Sequence, residues 1–225
     1  MWLADLTWPE VRLLAEADAV LAVPLGATEQ HGPHLPLSTD TDIAMALCAR
    51  LAAARLDVLV APPVPFGSSG EHAGFAGTLS IGQAATELLV TELGRSATDT
   101  FRHVLFVSAH GGNAEPVGRA VSLLRKESRD IRLFQPRWTG DPHAGRPETA
   151  MMLSHRATTV HMDRAATGNI QSITALLPRL RTDGVRAVSP SGVLGDPVGA
   201  TAAEGSALLD ELAAALIKDV GEWLG

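Results

Sequence analysis

The chain of 225 residues contains a single cysteine, Cys48. No internal disulfide can form, which suits a reducing cytosol. Cys48 lies among helix formers in "IAMALCARLAAARL", the setting of a buried core thiol rather than of a nucleophile. No uninterrupted apolar run approaches the roughly 20 residues that span a bilayer. The opening "MWLADLTWPEVRLL" lacks the basic start, apolar run and small-residue cleavage site of a signal peptide. Basic charge is also scarce: 18 Lys and Arg against 25 Asp and Glu leave a formal net charge of −7. That balance excludes the basic footprint of a nucleic-acid or anionic-membrane binder. Internal repeats, low-complexity tracts and interdomain linkers are missing too. The expectation is a soluble cytoplasmic protein with one domain over residues 1–225, its 46% apolar residues giving a sizeable core.

What is present alternates. Short apolar runs at 19–25, 57–64, 103–109 and 131–137 read as strands, each followed by a polar or Gly-rich break. Helical patterns run from Asp40 or Thr41 to about Arg55, then over "QAATELLVTELGRSATDTF", "AEPVGRAVSLLRKES" and "PETAMMLSHR". A C-terminal helix with a strong 3.6-residue apolar stripe covers "TAAEGSALLDELAAALIKDVGEWL", and "ATTVHM" reads as a short strand. Alternating strands and helices predict an α/β fold, a three-layer α/β/α sandwich with a mostly parallel central sheet. The loop-like stretch 184–201 is long enough to suggest a functional loop or a subunit contact.

Polar clusters follow the strands. "GATEQHGPHLPLSTDTD" (26–42) comes after the first, a Gly-rich loop (65–78) after the second, "HGGN" (110–113) after the third and "GDPHAGRPETA" (140–150) after the fourth. Ligands of open α/β sheets bind at the carboxyl ends of strands, so these clusters can meet. Glu29 and His31, two apart in an extended segment, point the same way. Asp40 is either a helix N-cap or a ligand; His110 is either hydrogen-bonded or a ligand; Glu148 also suits a helix start. Taken together they place two imidazoles and three carboxylates on one face. Three carboxylates so close repel unless neutralised, and two divalent cations would remove the conflict with charge to spare for a hydroxide. Mixed His and carboxylate donors suit Zn²⁺, Fe²⁺ or Mn²⁺.

These residues carry a family resemblance. "LGATEQHGPHLPLSTDTDIA" (25–44), "SAHGGNAE" (108–115) and "HAGRPETAMML" (143–153) resemble the creatininase (creatinine amidohydrolase) family almost end to end. "GSSGEHAGFAGTLSIG" (67–82) and "AVSPSGVLGDPVGATAAEG" (187–205) are most similar to members that process a modified ribosomal precursor peptide. The resemblance implies a dinuclear metal-dependent hydrolase that releases a Val-Tyr-derived C-terminal dipeptide, with Zn²⁺, Fe²⁺ or both, or Mn²⁺, as cofactors. Position by position, it implies Glu29 on one metal, His31 on the other and Asp40 bridging, with His110 and Glu148 as further ligands. His143 falls on the histidine proposed as proton shuttle. Creatininase itself has an acidic ligand two residues after the strand-end histidine, where this chain has Gly112. Glu148 is the obvious substitute.

Around the mouth, Glu71, His72 and Arg146 are candidate substrate-binding residues, Arg146 because a guanidinium matches a carboxylate bidentately. His34 and Asp42 are expected in supporting roles, and His103, His155 and His161 as structural. The family forms homo-oligomers built from dimers, up to hexamers. Two other readings stand beside the peptidase. One is a small-molecule amidohydrolase acting on a cyclic amide or formamide; the other is a non-catalytic metal-binding scaffold.

Overall fold

The computed structural model describes all 225 residues. Helix α1 (Trp8–Glu16) opens with a capping box between Thr7 and Glu10 and a proline in its first turn. Strand β1 (Val20–Leu25), helix α2 (Thr39–Ala54) and strand β2 (Val58–Val60) follow, then α3 (Gly82–Ala97), β3 (His103–Ser108), α4 (Ala114–Lys126) and β4 (Ile131–Phe134). The remainder is helical: α5 (Arg146–Arg156), α6 (Ile173–Asp183), α7 (Val185–Val188) and α8 (Ala202–Leu224).

All strand pairings are parallel, in the order β2-β1-β3-β4. Parallel sheets persist where both faces are covered, and the period-2 alternation of strand side chains shows both faces at work. Val20, Ala22, Leu105 and Val107 point into a core built with α2, α5 and α8. Leu21, Val23, Val104 and Phe106 point into a second core with residues of α3 and α4. The three layers expected from the sequence are present.

Several local expectations change. β2 stops at Val60 because Pro62 and Pro63 supply no N–H to a ladder; Val64 makes only an isolated bridge to Leu25. "ATTVHM" is not a strand but a 3-10 turn, Ala157–Thr159, running towards a second one, Met162–Arg164. Its backbone turns to the first polar loop instead of the sheet, His161 N–H donating to His34 O at 2.8 Å. The 184–201 stretch contains α7 and then packs inward, Leu194 exchanging backbone hydrogen bonds with His143. Helices α1 and α6 were not foreseen. Pro178 inside α6 interrupts its backbone hydrogen bonding and obscures its pattern.

Close helix contact depends on Gly205, where an added Cβ would stand 1.8 Å from the Ala150 carbonyl oxygen of α5. Gly205→Ala is therefore expected to cost about 1–3 kcal/mol. A urea midpoint equal to that of the parent chain would refute this close approach of α8 to α5.

Candidate metal centre

Four loops deliver the site, and glycines let them close in. At the end of β1, a Cβ on Gly26 would fall 2.4 Å from Thr41 Cα. Without one, the first turn of α2 can lie against the strand end. Asn113, at the start of α4, ties two loops together: its amide nitrogen donates to Gly26 O at 3.0 Å and its oxygen accepts from Ser68 N at 3.0 Å. Gly67 leaves room for that clamp, since a Cβ there would lie 2.4 Å from Asn113 Oδ1.

Asp40 sits inside the first turn of α2, not at its cap; the cap position is Ser38, whose side chain makes no capping bond. Its buried carboxylate lies between two imidazoles, with Oδ1 3.2 Å from His31 Nε2 and Oδ2 3.1 Å from His110 Nδ1. One donor atom each from Glu29, Asp40 and His110 lie within 4.8 Å of one another, as do atoms of His31, Asp40 and Glu148. Asp40 is common to both groups. A third group joins Glu29, His31 and His143.

Backbone contacts orient the rings. His31 Nδ1 is 3.2 Å from Glu29 O and donates to it, leaving Nε2 to face the cluster. His110 Nε2 is 2.8 Å from Ser68 O and donates to it, leaving Nδ1 to face Asp40. Anchoring one ring nitrogen to a carbonyl fixes the tautomer of a ligating histidine. Glu148, in the first turn of α5, accepts from Ala144 N–H at 2.5 Å.

Gln30 organises the next layer. Its side-chain oxygen accepts from Gly32 N–H at 2.8 Å, which turns its nitrogen towards His72 Nδ1 (2.8 Å) and Gly192 O (3.3 Å). His72 therefore carries its proton on Nε2, 3.3 Å from Glu29 Oε1. His143 Nε2 donates to Gln30 O at 2.9 Å, which leaves Nδ1 facing Glu29 Oε1 at 3.9 Å. The His143 ring lies between those of His31 and His72, with centroids 4.4 and 4.5 Å away.

The electrostatics are those of a centre short of positive charge. Burial, reinforced by the charge of Asp40, pushes Glu29 up to about 8 against the pull of His110 and His31. Burial also lifts Glu148 to about 7, opposed by His31. Burial alone would depress His31 and His110, but the carboxylates outweigh it and raise each to about 10. Asp40 behaves inversely: burial favours its acid, yet the two imidazoles hold it well below the usual carboxylate range. His72 is lowered to about 3 and His143 well below its usual value, both by burial and then by His31. Glu29 Oε2 and Asp40 Oδ2 are buried and accept no hydrogen bond. Orphaned carboxylate oxygens facing oriented imidazoles are the donor set of a divalent transition metal, so the residues fit such ions.

The other sequence candidates divide. Glu71 and His72 both line the cavity that holds the cluster, and His72 is buried against Glu29. Arg146 does not line that cavity. Its guanidinium binds Glu204 and the carbonyls of Val198 and Gly199, tying α5 to the start of α8. His34 reaches Thr149 Oγ1 at 2.9 Å, not the cluster. Asp42 takes Arg156 at 2.7 Å and braces α2 against α5. His103 pairs with Asp130 at 2.7 Å at the far end of β3, and Cys48 is fully buried. Gly112 cannot carry a side chain at all, since a Cβ would stand 2.1 Å from Ser68 O. Gln30 and Asn113 escaped sequence reasoning; the only signal was their place inside the motifs "TEQHG" and "HGGN".

Comparison with known proteins agrees with this picture. Residues 4–220 match the Creatininase family model, described as creatinine amidohydrolase. A mycofactocin precursor peptide peptidase of Mycolicibacterium smegmatis is 46% identical over 212 residues, covering 91% of this chain and 85% of that one. Among solved structures, a mutant creatininase described as Zn-Zn type superposes with a TM-score of 0.85 at 22% identity, covering 98% of this chain and 97% of that one. A structure described as creatininase Mn matches with the same TM-score, identity and coverage. Likeness at this identity speaks for the fold.

Ligation requires His31 and His110 to give up protons that the carboxylates hold there up to about 10. Titrating Zn²⁺ into metal-free protein near neutral pH should therefore release protons, and apparent affinity should fall as pH is lowered. Uptake without proton release, measured in weakly buffered solution with an indicator dye, would place the ions elsewhere.

Proposed function

The chain belongs to the creatininase family, and from that membership we propose that it is a metal-dependent mycofactocin precursor peptide peptidase. On this reading it hydrolyses an amide to release the Val-Tyr-derived dipeptide from the C-terminus of the modified peptide. The observation that carries the proposal is the pair of donor groups sharing Asp40 on the floor of a cavity of about 1190 Å³. Pockets for small ligands run to roughly 300–1,000 Å³, so the space exceeds the needs of a small cyclic amide. The relative at 46% identity, named as a peptidase of this type, supports the same substrate class.

Glu29, Asp40 and His110 would hold one ion and His31, Asp40 and Glu148 the other. Zn²⁺ and Fe²⁺, or Mn²⁺, suit these donors. When bound, such ions supply Lewis acidity towards a carbonyl and acidify water. The protein's own part is to orient and to move protons. His31 and His110 present one nitrogen each because the other is tied to a backbone carbonyl. Glu148 is aimed by Ala144 N–H, and Glu29 is steadied by His72 Nε2–H. His143, neutral and with Nδ1 turned to the cluster, accepts a proton there and passes it to the leaving amine. Glu71 at the rim is available to the substrate.

No helix is long and apolar enough to cross a membrane. We read residues 1–225 as one creatininase-like hydrolase domain, cytoplasmic and assembled as a homo-oligomer built from dimers.

Metal-loaded protein incubated with a peptide bearing the C-terminal Val-Tyr crosslink should release the fragment, detectable by mass spectrometry. Turnover of creatinine or a formamide with no peptide cleavage would instead select the small-amide reading. Asp40→Ala should lower metal content below two ions per chain and abolish activity; retention of both ions would contradict sharing. His143→Ala should reduce kcat by ~10²–10⁴-fold with both ions kept, and an unaltered pH profile would remove it from proton transfer.

A further inference from the structure

Helix α6 forms one wall of the cavity whose floor carries Glu29, Asp40, His110 and Glu148. It is thinly attached. Leu176 is its only fully buried residue, at 2% exposure, packing with Val188 and Leu194 while Leu180 adds a partial contact. The C-terminal end is pinned to the turn bearing Glu71 and His72. Arg186 donates to Gly74 O at 2.9 Å, and Gly184 approaches so closely that a Cβ there would meet Glu71 O at 2.9 Å.

The outward residues of such a helix should be polar, as Thr174 and Arg179 are, and at its C-terminal end Arg181, Thr182 and Asp183 add a polar stretch to the cavity lining. Ile173 and Leu177 break that rule, at 39% and 40% exposure. Together with Leu180 they fall at i, i+4 and i+7, one helical face, and all three line the cavity. An apolar face directed at solvent gains nothing, whereas one continuous with a polar reacting floor can hold substrate.

We propose that Ile173, Leu177 and Leu180 form the specificity wall of the site, receiving the bulky apolar and aromatic side chains beside the scissile amide of the peptide. This rests on the peptidase reading above and adds the determinant of its selectivity. The floor fixes which bond can react, and the wall selects the peptide end presented to it. The apolar face and the donor cluster line one cavity, which favours substrate as the occupant over a second protein.

The test compares steady-state constants on the crosslinked peptide for wild type, Leu177→Gln, Ile173→Gln and Leu177→Met, with metal content and thermal midpoint measured alongside. Each glutamine should raise KM by ~10-fold or more, within the range a single apolar contact commands. Metal content should stay at the wild-type value, and Leu177→Met should restore most of the loss. Both positions are exposed, so the second glutamine variant decides the matter if the first is unstable. Unchanged KM in both glutamine variants would overturn the wall; so would a loss traced to missing metal. Failure of the wild type itself to cleave the peptide, with turnover of creatinine or a formamide, would instead overturn the parent reading and the wall with it.

Discussion

Three carboxylates buried within reach of one another, with no lysine or arginine among them, are the constraint around which this molecule is arranged. The only ion-pair partners of Glu29, Asp40 and Glu148 are histidines. Burying such charge unpaired is costly, so the groups must share protons or hold cations. The fold meets this demand by geometry. Parallel strands end side by side, the glycines at 26 and 67 allow loops and a helix start to crowd those ends, and backbone carbonyls turn each imidazole the right way.

Much of this was legible in the sequence because it depends on local pattern. The strands of the sheet announce themselves as apolar runs, and the donor residues cluster directly after them. Glu29 and His31 meet Asp40 much as their spacing and the loop's stiffness suggested. The rest depends on partners far apart in the chain. Nothing near Gln30 indicates that its amide will reach His72 and Gly192 while its carbonyl takes His143. Arg146 shows the same limit: beside the motif glutamate it looks poised for a substrate carboxylate, yet Glu204 on α8 claims it. Gly112 is intelligible only when the Ser68 carbonyl is seen against it. α6 stayed hidden because a proline interrupts it and its apolar residues serve two faces, one turned into the protein and one into the cavity.

The site therefore divides its labour between rigid and lightly held parts. The donor floor is built at strand ends and in the first turns of α2 and α5. The apolar wall hangs on a helix with one fully buried side chain. The donors are held by many contacts, while the apolar wall is held by few and can change without disturbing them.

The order of the donors along the chain has its own consequence for biosynthesis. Glu29, Asp40 and His110 emerge from the ribosome well before His143 and Glu148, and Gly192 and Leu194 come later still. During translation the nascent protein presents one set of donors while the partners of the other are still unmade. The centre is thus completed from its N-terminal side. The histidine and carboxylate that complete it, His143 and Glu148, arrive about two-thirds of the way along the chain. Contacts of such long sequence separation also slow folding.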